Sequence, residues 1–205
     1  MKSPTPGMWR RVLHRVLLGF AIVSGSAMGQ SADEITVPEG YVLQVLGATD
    51  GRIAMPKAWF YSNSGTPSGW VWRFSPQDPH LGEFETGLTI QLFVRVEEKT
   101  KQSPEAFARS FIAEKHVKSR QVLRDCPVAN FDSFKRQCIE VIEDLKEPSG
   151  LKRFHILYSA MWLKEMDMVA ISTFGAPEEK WESVRETADV MSMFVLIGKS
   201  PGNTN

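Results

Sequence analysis

QVLRDCPVANFDSFKRQCIEVIEDLKEPSGLKRFHILYSAMWL, residues 121–163, is the stretch that decides the fold. It reads as three strands in series, Gln121–Asn130, Phe134–Leu145 and Lys152–Leu163. Their connections are short, Phe131-Asp132-Ser133 and then Lys146–Leu151. Connections of that length join antiparallel neighbours, because a parallel crossover needs a dozen residues or more. Lys152–Leu163 is apolar on both faces, with Phe154, Ile156, Tyr158 and Trp162 against Leu157, Met161 and Leu163. A strand buried on both faces lies inside a sheet with layers above and below it.

Working outward, Lys164–Asp167 leads into a further strand at Met168–Phe174. Pro177-Glu178-Glu179 then opens a closing helix, with Pro at a helix start and acids near the positive end of its dipole. Trp181, Val184, Ala188, Met191 and Val195 recur at spacings of 3, 4, 3 and 4. That is one apolar stripe, and it predicts a helix of about 17 residues packed on one sheet face.

On the other side of the deciding stretch, Ser103-Pro104-Glu105 predicts a capped helix that buries Phe107 and Phe111. Before it, Leu88–Val96 alternates at the period of two that a pleated strand imposes. Trp70-Val71-Trp72-Arg73-Phe74 alternates likewise, with three aromatics on one face. Tyr41–Leu46 and Arg52–Met55 flank the turn signal Thr49-Asp50-Gly51. Tyr61–Gly69 and Ser75–Gly87 read as loops by composition. The fold class expected is α+β, an α/β/α sandwich around a mostly antiparallel β-sheet.

The first 29 residues read differently. Lys2, Arg10, Arg11 and Arg15 precede the apolar run Val16–Val23, and Ala27-Met28-Gly29 places small residues before Gln30. This layout predicts a signal peptide over residues 1–29, cleaved before Gln30. The apolar run is under half the roughly 20 residues a spanning helix needs, so no stable membrane anchor is expected. No cysteine stands near the cleavage site for lipid attachment. The expected layout is a flexible mature start at 30–40, one domain at 41–197 and a disordered tail at 198–205. The protein is expected to be exported to the periplasm or extracellular space.

The whole chain balances 24 basic against 24 acidic residues. Without the four basic residues of the signal it carries 20 against 24, a net charge of −4. Nucleic-acid binding needs a clustered positive field, so no nucleic-acid partner is expected.

Cys126 and Cys138 are the two cysteines of the chain. If the hairpin turns at Phe131–Ser133 they fall almost opposite each other, within disulfide reach. If the loop is instead Pro127–Ser133 they are offset by four residues and stay as thiols. Export favours the bond. His80, His116 and His155 are isolated, with no metal-ligand spacing among them, so no metal site and no cofactor are expected. No Gly-x-Ser-x-Gly or phosphate-binding glycine loop is present, so no catalytic residue is assigned. Glu140 and Glu143 lie on opposite strand faces and cannot form an acid/base pair. The aromatic group Trp59, Trp70, Trp72 and Phe74 supplies the candidate ligand or partner contacts, against the alternative that it is core.

Ile53-Ala54-Met55-Pro56-Lys57-Ala58-Trp59 resembles the strand-Pro-x-x-Trp opening of the PsbP-like domain family. The long strand before a Ser-Pro-Glu-capped helix, the strand series, and a closing helix bearing Trp181 and Phe194 resemble it too. That family shares its fold with the small Ran-binding nuclear import factor and with bacterial exported domains of unknown function. The resemblance covers roughly Tyr41 to Ile197. It implies a non-enzymatic binding or assembly role with a protein partner. Photosystem-bound members carry a long segment before the domain, where this chain has only Gln30–Glu39. The other function expected is a carrier or sensor of a small apolar ligand held between sheet and helix.

Overall fold

A computed structural model describes residues 35–198, apart from 79, 82–84, 148–149 and 164. The signal peptide expected over 1–29 and, past Gly198, the tail expected over 198–205 lie outside the described residues.

The chain runs β1 (Tyr41–Leu46), β2 (Asp50–Pro56), β3 (Phe60–Thr66), β4 (Gly69–Ser75) and β5 (Gly87–Val94). Two helices follow, α1 (Val96–Thr100) and α2 (Pro104–Lys118). Then come β6 (Gln121–Asn130), β7 (Phe134–Glu147), β8 (Gly150–Leu163) and β9 (Met168–Pro177). A 3-10 turn at Glu178–Lys180 leads into α3 (Trp181–Met191), and β10 (Val195–Ile197) is the last described element.

Seven strands form one antiparallel sheet in the order β3-β4-β5-β9-β8-β7-β6. The fold is α+β, with this sheet between outer layers. On one face α2 packs over β7, β8 and β9. There Ala108 and Ile112 meet Ile139, Val141, Ile156, Tyr158, Trp162 and Val169. On the other face α3 packs beside a small sheet of order β1-β2-β10. Leu46, Ile53, Trp72, Phe74, Ile90 and Met191 fill that second core. Strand β8 serves both cores, as its two apolar faces require.

Local signals explain most boundaries. Ser103 Oγ accepts the Ala106 N–H at 3.2 Å, capping α2 as expected. The hairpin β7–β8 pairs residue for residue from Phe134↔Leu163 to Glu147↔Gly150. Its connection is therefore shorter than the six residues expected, since Lys146 and Leu151 already belong to the ladder. At Gly51 a Cβ would overlap the Leu196 carbonyl, so glycine there lets β10 approach β2.

Four expectations need correction. The loop expected at Tyr61–Gly69 is mostly strand β3, with Pro67 and Ser68 making the turn. Its Ser, Asn and Gly residues read as loop, but β3 is a sheet edge, where polar residues are tolerated and discourage further pairing. The strand expected over Leu88–Val96 ends at Val94, because Arg95 turns left-handed (φ 55°). Val96 starts α1, where its side chain is buried in the α2-side core. The closing helix has 11 residues, not about 17, and Val195 belongs to β10, paired with Arg52. Val195 continues the stripe's spacing by coincidence: β2 offers a free edge, and the chain leaves the helix to take it. Finally, the strands expected at Tyr41–Leu46 and Arg52–Met55 pair as β1 and β2 but form a separate sheet with β10, a strand whose Val195 the apolar stripe places in the closing helix. Among the described residues, no helix is long and apolar enough to cross a membrane.

Candidate functional site

Cys126 and Cys138 are paired in the β6–β7 register and joined by a disulfide, Cα to Cα 5.0 Å. The turn at Phe131–Ser133 decides it, so the alternative loop and its free thiols fall away. A disulfide fits an oxidising compartment.

The aromatic group expected to make contacts lies in and against the core. Trp72 and Phe74 have no exposed surface. The Trp72 indole Nε1 donates to the Gly47 carbonyl at 3.1 Å. Trp59 and Trp70 are half-buried against the same cluster, and Trp59 stacks on Phe174 at 6.1 Å. Strand β3 packs against the same group, with Tyr61 on Phe74 at 5.2 Å.

Two other places have the geometry of sites. The first lies between the sheet and α3. His155 on β8 shares a 2.6 Å hydrogen bond with Glu140 on β7. Arg124 on β6 holds the other Glu140 oxygen at 2.9 Å. Trp181 stacks flat on His155, with centroids 3.8 Å apart and planes 8° apart. This cluster lines a cavity of about 500 Å³, with Arg185 and Asp189 of α3 on its outer wall. As expected, Glu140 and Glu143 do not pair. Glu140 finds His155 instead, a diagonal cross-strand neighbour, since Glu140 faces Leu157 and Ile142 faces His155. On the opposite face Glu143 accepts from the Tyr158 hydroxyl at 3.1 Å, with Lys115 at 3.7 Å. Burial, and the neighbouring Glu143 carboxylate, push the Tyr158 phenol well above its ordinary value. It therefore stays protonated and acts as a donor. Among the described residues no group of three or more His, Cys, Asp or Glu side chains gathers to hold a metal.

The second place is a groove at one end of the seven-stranded sheet, where the β6–β7 and β8–β9 turns meet β10. Its apolar section, about 320 Å³, is walled by Phe131, Phe134, Leu163, Phe194 and Ile197. A middle section of about 290 Å³ runs past Leu163 and Met166. A third, about 450 Å³, is bordered by Glu97, Glu105, Glu165 and Asp167. Leu163 borders all three, and Ser133, Glu165 and Met166 link them pairwise, so they adjoin along the sheet end. Met166 is 46% exposed and Phe131 42%. Sequence reasoning missed the groove, although a signal existed. Its two turns carry Phe131 and Met166 where turn chemistry favours small polar residues.

No family model and no curated protein matches this sequence. Solved structures do. The chain is similar to PsbP-like proteins. The cyanobacterial PsbP of Synechocystis sp. PCC 6803 shares 15% identity, covering 83% of this chain and 97% of that one, with a TM-score of 0.44. The Ran-binding protein Mog1p of Saccharomyces cerevisiae shares 10%, covering 77% and 96%, with a TM-score of 0.46. A protein of unknown function from Pseudomonas aeruginosa, PA94, shares 8%, covering 79% and 99%, with a TM-score of 0.42. The resemblance read from Ile53–Trp59 and the closing helix points to the same group. At these identities the likeness is one of fold and assigns no residue a role, so the fold class rests on the strand register and packing described above.

Proposed function

We propose that this chain is a non-catalytic, exported binding or assembly factor that docks a protein partner in the groove at the sheet end. The observation that carries this reading is the groove floored by Phe134, Leu163, Met166, Phe194 and Ile197. Apolar surface concentrated on turns, where water would otherwise be met by polar side chains, is what a docking partner covers. The basic start of the chain and the disulfide support export, with cleavage before Gln30 and one binding domain over 41–197. Among the described residues, the lining of the cavity at His155 brings no hydroxyl, thiol or amine nucleophile to the imidazole.

The test places a photo-crosslinking residue at Met166, and as a control at Val117, 82% exposed on α2. In the protein's own host, one discrete protein adduct is expected from position 166 and none from 117. Equal or absent adducts at both positions refute docking at the groove.

A second reading is favoured by the cavity between sheet and α3, which is where a carried small ligand is expected. Arg124, Glu140, His155, Arg185 and Asp189 make its walls charged, so an apolar ligand gains little there and a polar one is required. A thermal-shift screen of small polar metabolites checks this reading. A rise in Tm that Arg185→Ala abolishes supports it, and a flat screen removes it.

A further inference from the structure

Resting on that docking role, we infer that the groove receives a partner segment in which apolar side chains are followed by basic ones, an amphipathic cationic stretch of a protein. The groove is asymmetric along its length. One end is apolar, from Phe194 and Ile197 to Leu163. The other end keeps an apolar floor of Pro104, Trp162, Leu163 and Met166, but among the described residues its border carries four carboxylates and no cation. Among the described residues, the two ammoniums of α1 and its C-cap are committed elsewhere. Lys99 Nζ donates to the Pro67 carbonyl at 2.8 Å, and Lys101 Nζ to the Glu98 carbonyl at 3.0 Å.

The four carboxylates are not equivalent. Glu105 is neutralised by Lys135 at 3.0 Å and Arg109 at 2.9 Å. Asp167 Oδ1 accepts the Glu97 backbone N–H at 2.8 Å, which positions it without cancelling its charge. Glu97, Glu165 and Asp167 have no ion-pair partner among the described residues. Three unpaired carboxylates around an apolar floor repel anionic surfaces and favour cationic side chains whose stems can lie along that floor. Trp162 adds an independent sign. It is 3% exposed, borders this section, and its indole Nε1 is buried with no acceptor. A buried unpaired donor is costly, and a peptide carbonyl would satisfy it only if Trp162 turns toward this section on docking. The same carboxylates argue against a nucleic acid or an anionic membrane surface.

The experiment selects a random dodecapeptide phage library on the disulfide-intact protein, then measures the selected synthetic peptides by calorimetry. Enrichment of two or three apolar residues followed closely by Lys or Arg is expected. Glu97→Gln with Glu165→Gln should weaken those peptides about three- to tenfold, and added salt should do the same. Met166→Glu, a change at an exposed turn position, should abolish binding without loss of fold. Apolar peptides indifferent to the double variant but blocked by Met166→Glu would overturn the charge inference and leave docking at the groove intact. No selected peptide, acidic peptides, self-association of the protein, or binding indifferent to Met166→Glu would overturn both.

Discussion

The two faces of the β7–β8 hairpin solve the same problem differently. Each buries a glutamate from β7 against a ring on β8. On the α2 face Glu143 meets the Tyr158 hydroxyl and Lys115, and Lys115 also lies 4.3 Å over the Tyr158 ring. Helix α2 crosses β7, β8 and β9 and closes the site. On the other face Glu140 meets His155 and Arg124, while α3 packs mainly on β9 and β2 and is tied to β7 by Arg136, which donates to the Ser192 carbonyl at 3.4 Å. What remains there is a cavity, roofed over His155 by a single indole. A helix laid across the hairpin makes a closed polar pair; a helix displaced from it leaves an open one. Stability on the open face must therefore come from fewer, larger contributions.

The largest is Trp181. It is 3% exposed, stacks on His155 and meets Phe174 edge-on at 6.0 Å. Trp181→Ala should cost about 3–5 kcal/mol, as other large-to-small aromatic core changes do. Denaturant titration measures it directly. A loss below about 1 kcal/mol, the usual range for surface changes, would mean that the roof is dispensable and the contrast between faces is false.

Next is the disulfide, which staples β6 to β7 at Cys138, two residues before Glu140 and so on the same face of β7, the one opposite α2. Cys126 and Cys138 are 12 residues apart, so replacing both by alanine should cost about 3 kcal/mol on the chain-entropy account. Thermal melts with and without reductant should give matching losses. An unchanged Tm would show that the hairpin ladder alone holds β6.

The closed face should respond to a single hydroxyl. Tyr158→Phe leaves Glu143 with Lys115 and Ser119 but without its phenol donor. A hydrogen bond to a charged group contributes about 1.5–3 kcal/mol, and that loss is expected in denaturant titration. A neutral result would indicate that Lys115 and Ser119 satisfy Glu143 without the phenol.

How much of this was legible in the sequence follows from which signals are local. The two-faced pattern of Phe154–Leu163, the Ser103 cap, the Trp181–Met191 stripe and the Cys126–Cys138 pairing each lie within one element or one hairpin, and each was readable. Strand β3 was not, because an edge strand is allowed the Ser, Asn and Gly residues of a loop. The end of α3 was not, because Val195 sits at helical spacing while its partner Arg52 is far away in sequence. His155 and Glu140 could have been paired on paper had the β7–β8 register been known, since a shift of one residue changes every facing pair. The groove was beyond local reading: its walls come from α1, α2, two turns and β10, and only folding brings them together.

The smallest expected effect concerns acid, and it separates the faces by charge. Glu105, in the first turn of α2, accepts from Lys135 of β7 and also pairs with Arg109. The hydrogen bond from Lys135, then that from Arg109, holds its carboxyl below the ordinary value of about 4.5. A carboxyl depressed in the folded state binds fewer protons there than in the unfolded chain. Its stabilisation is therefore present above the unfolded value and is lost as pH falls through the folded one. Glu105 is 38% exposed, so solvent screens the pair and its contribution should stay below about 1 kcal/mol. Comparing wild type with Glu105→Gln by denaturant titration should show a small deficit at pH 7 that shrinks toward zero on acidification below about pH 4.5. A deficit that persists unchanged in acid would mean that the substituted amide disturbs the capped turn of α2 itself. The tie between α2 and β7 would then be packing, and charge would play no part in closing that face.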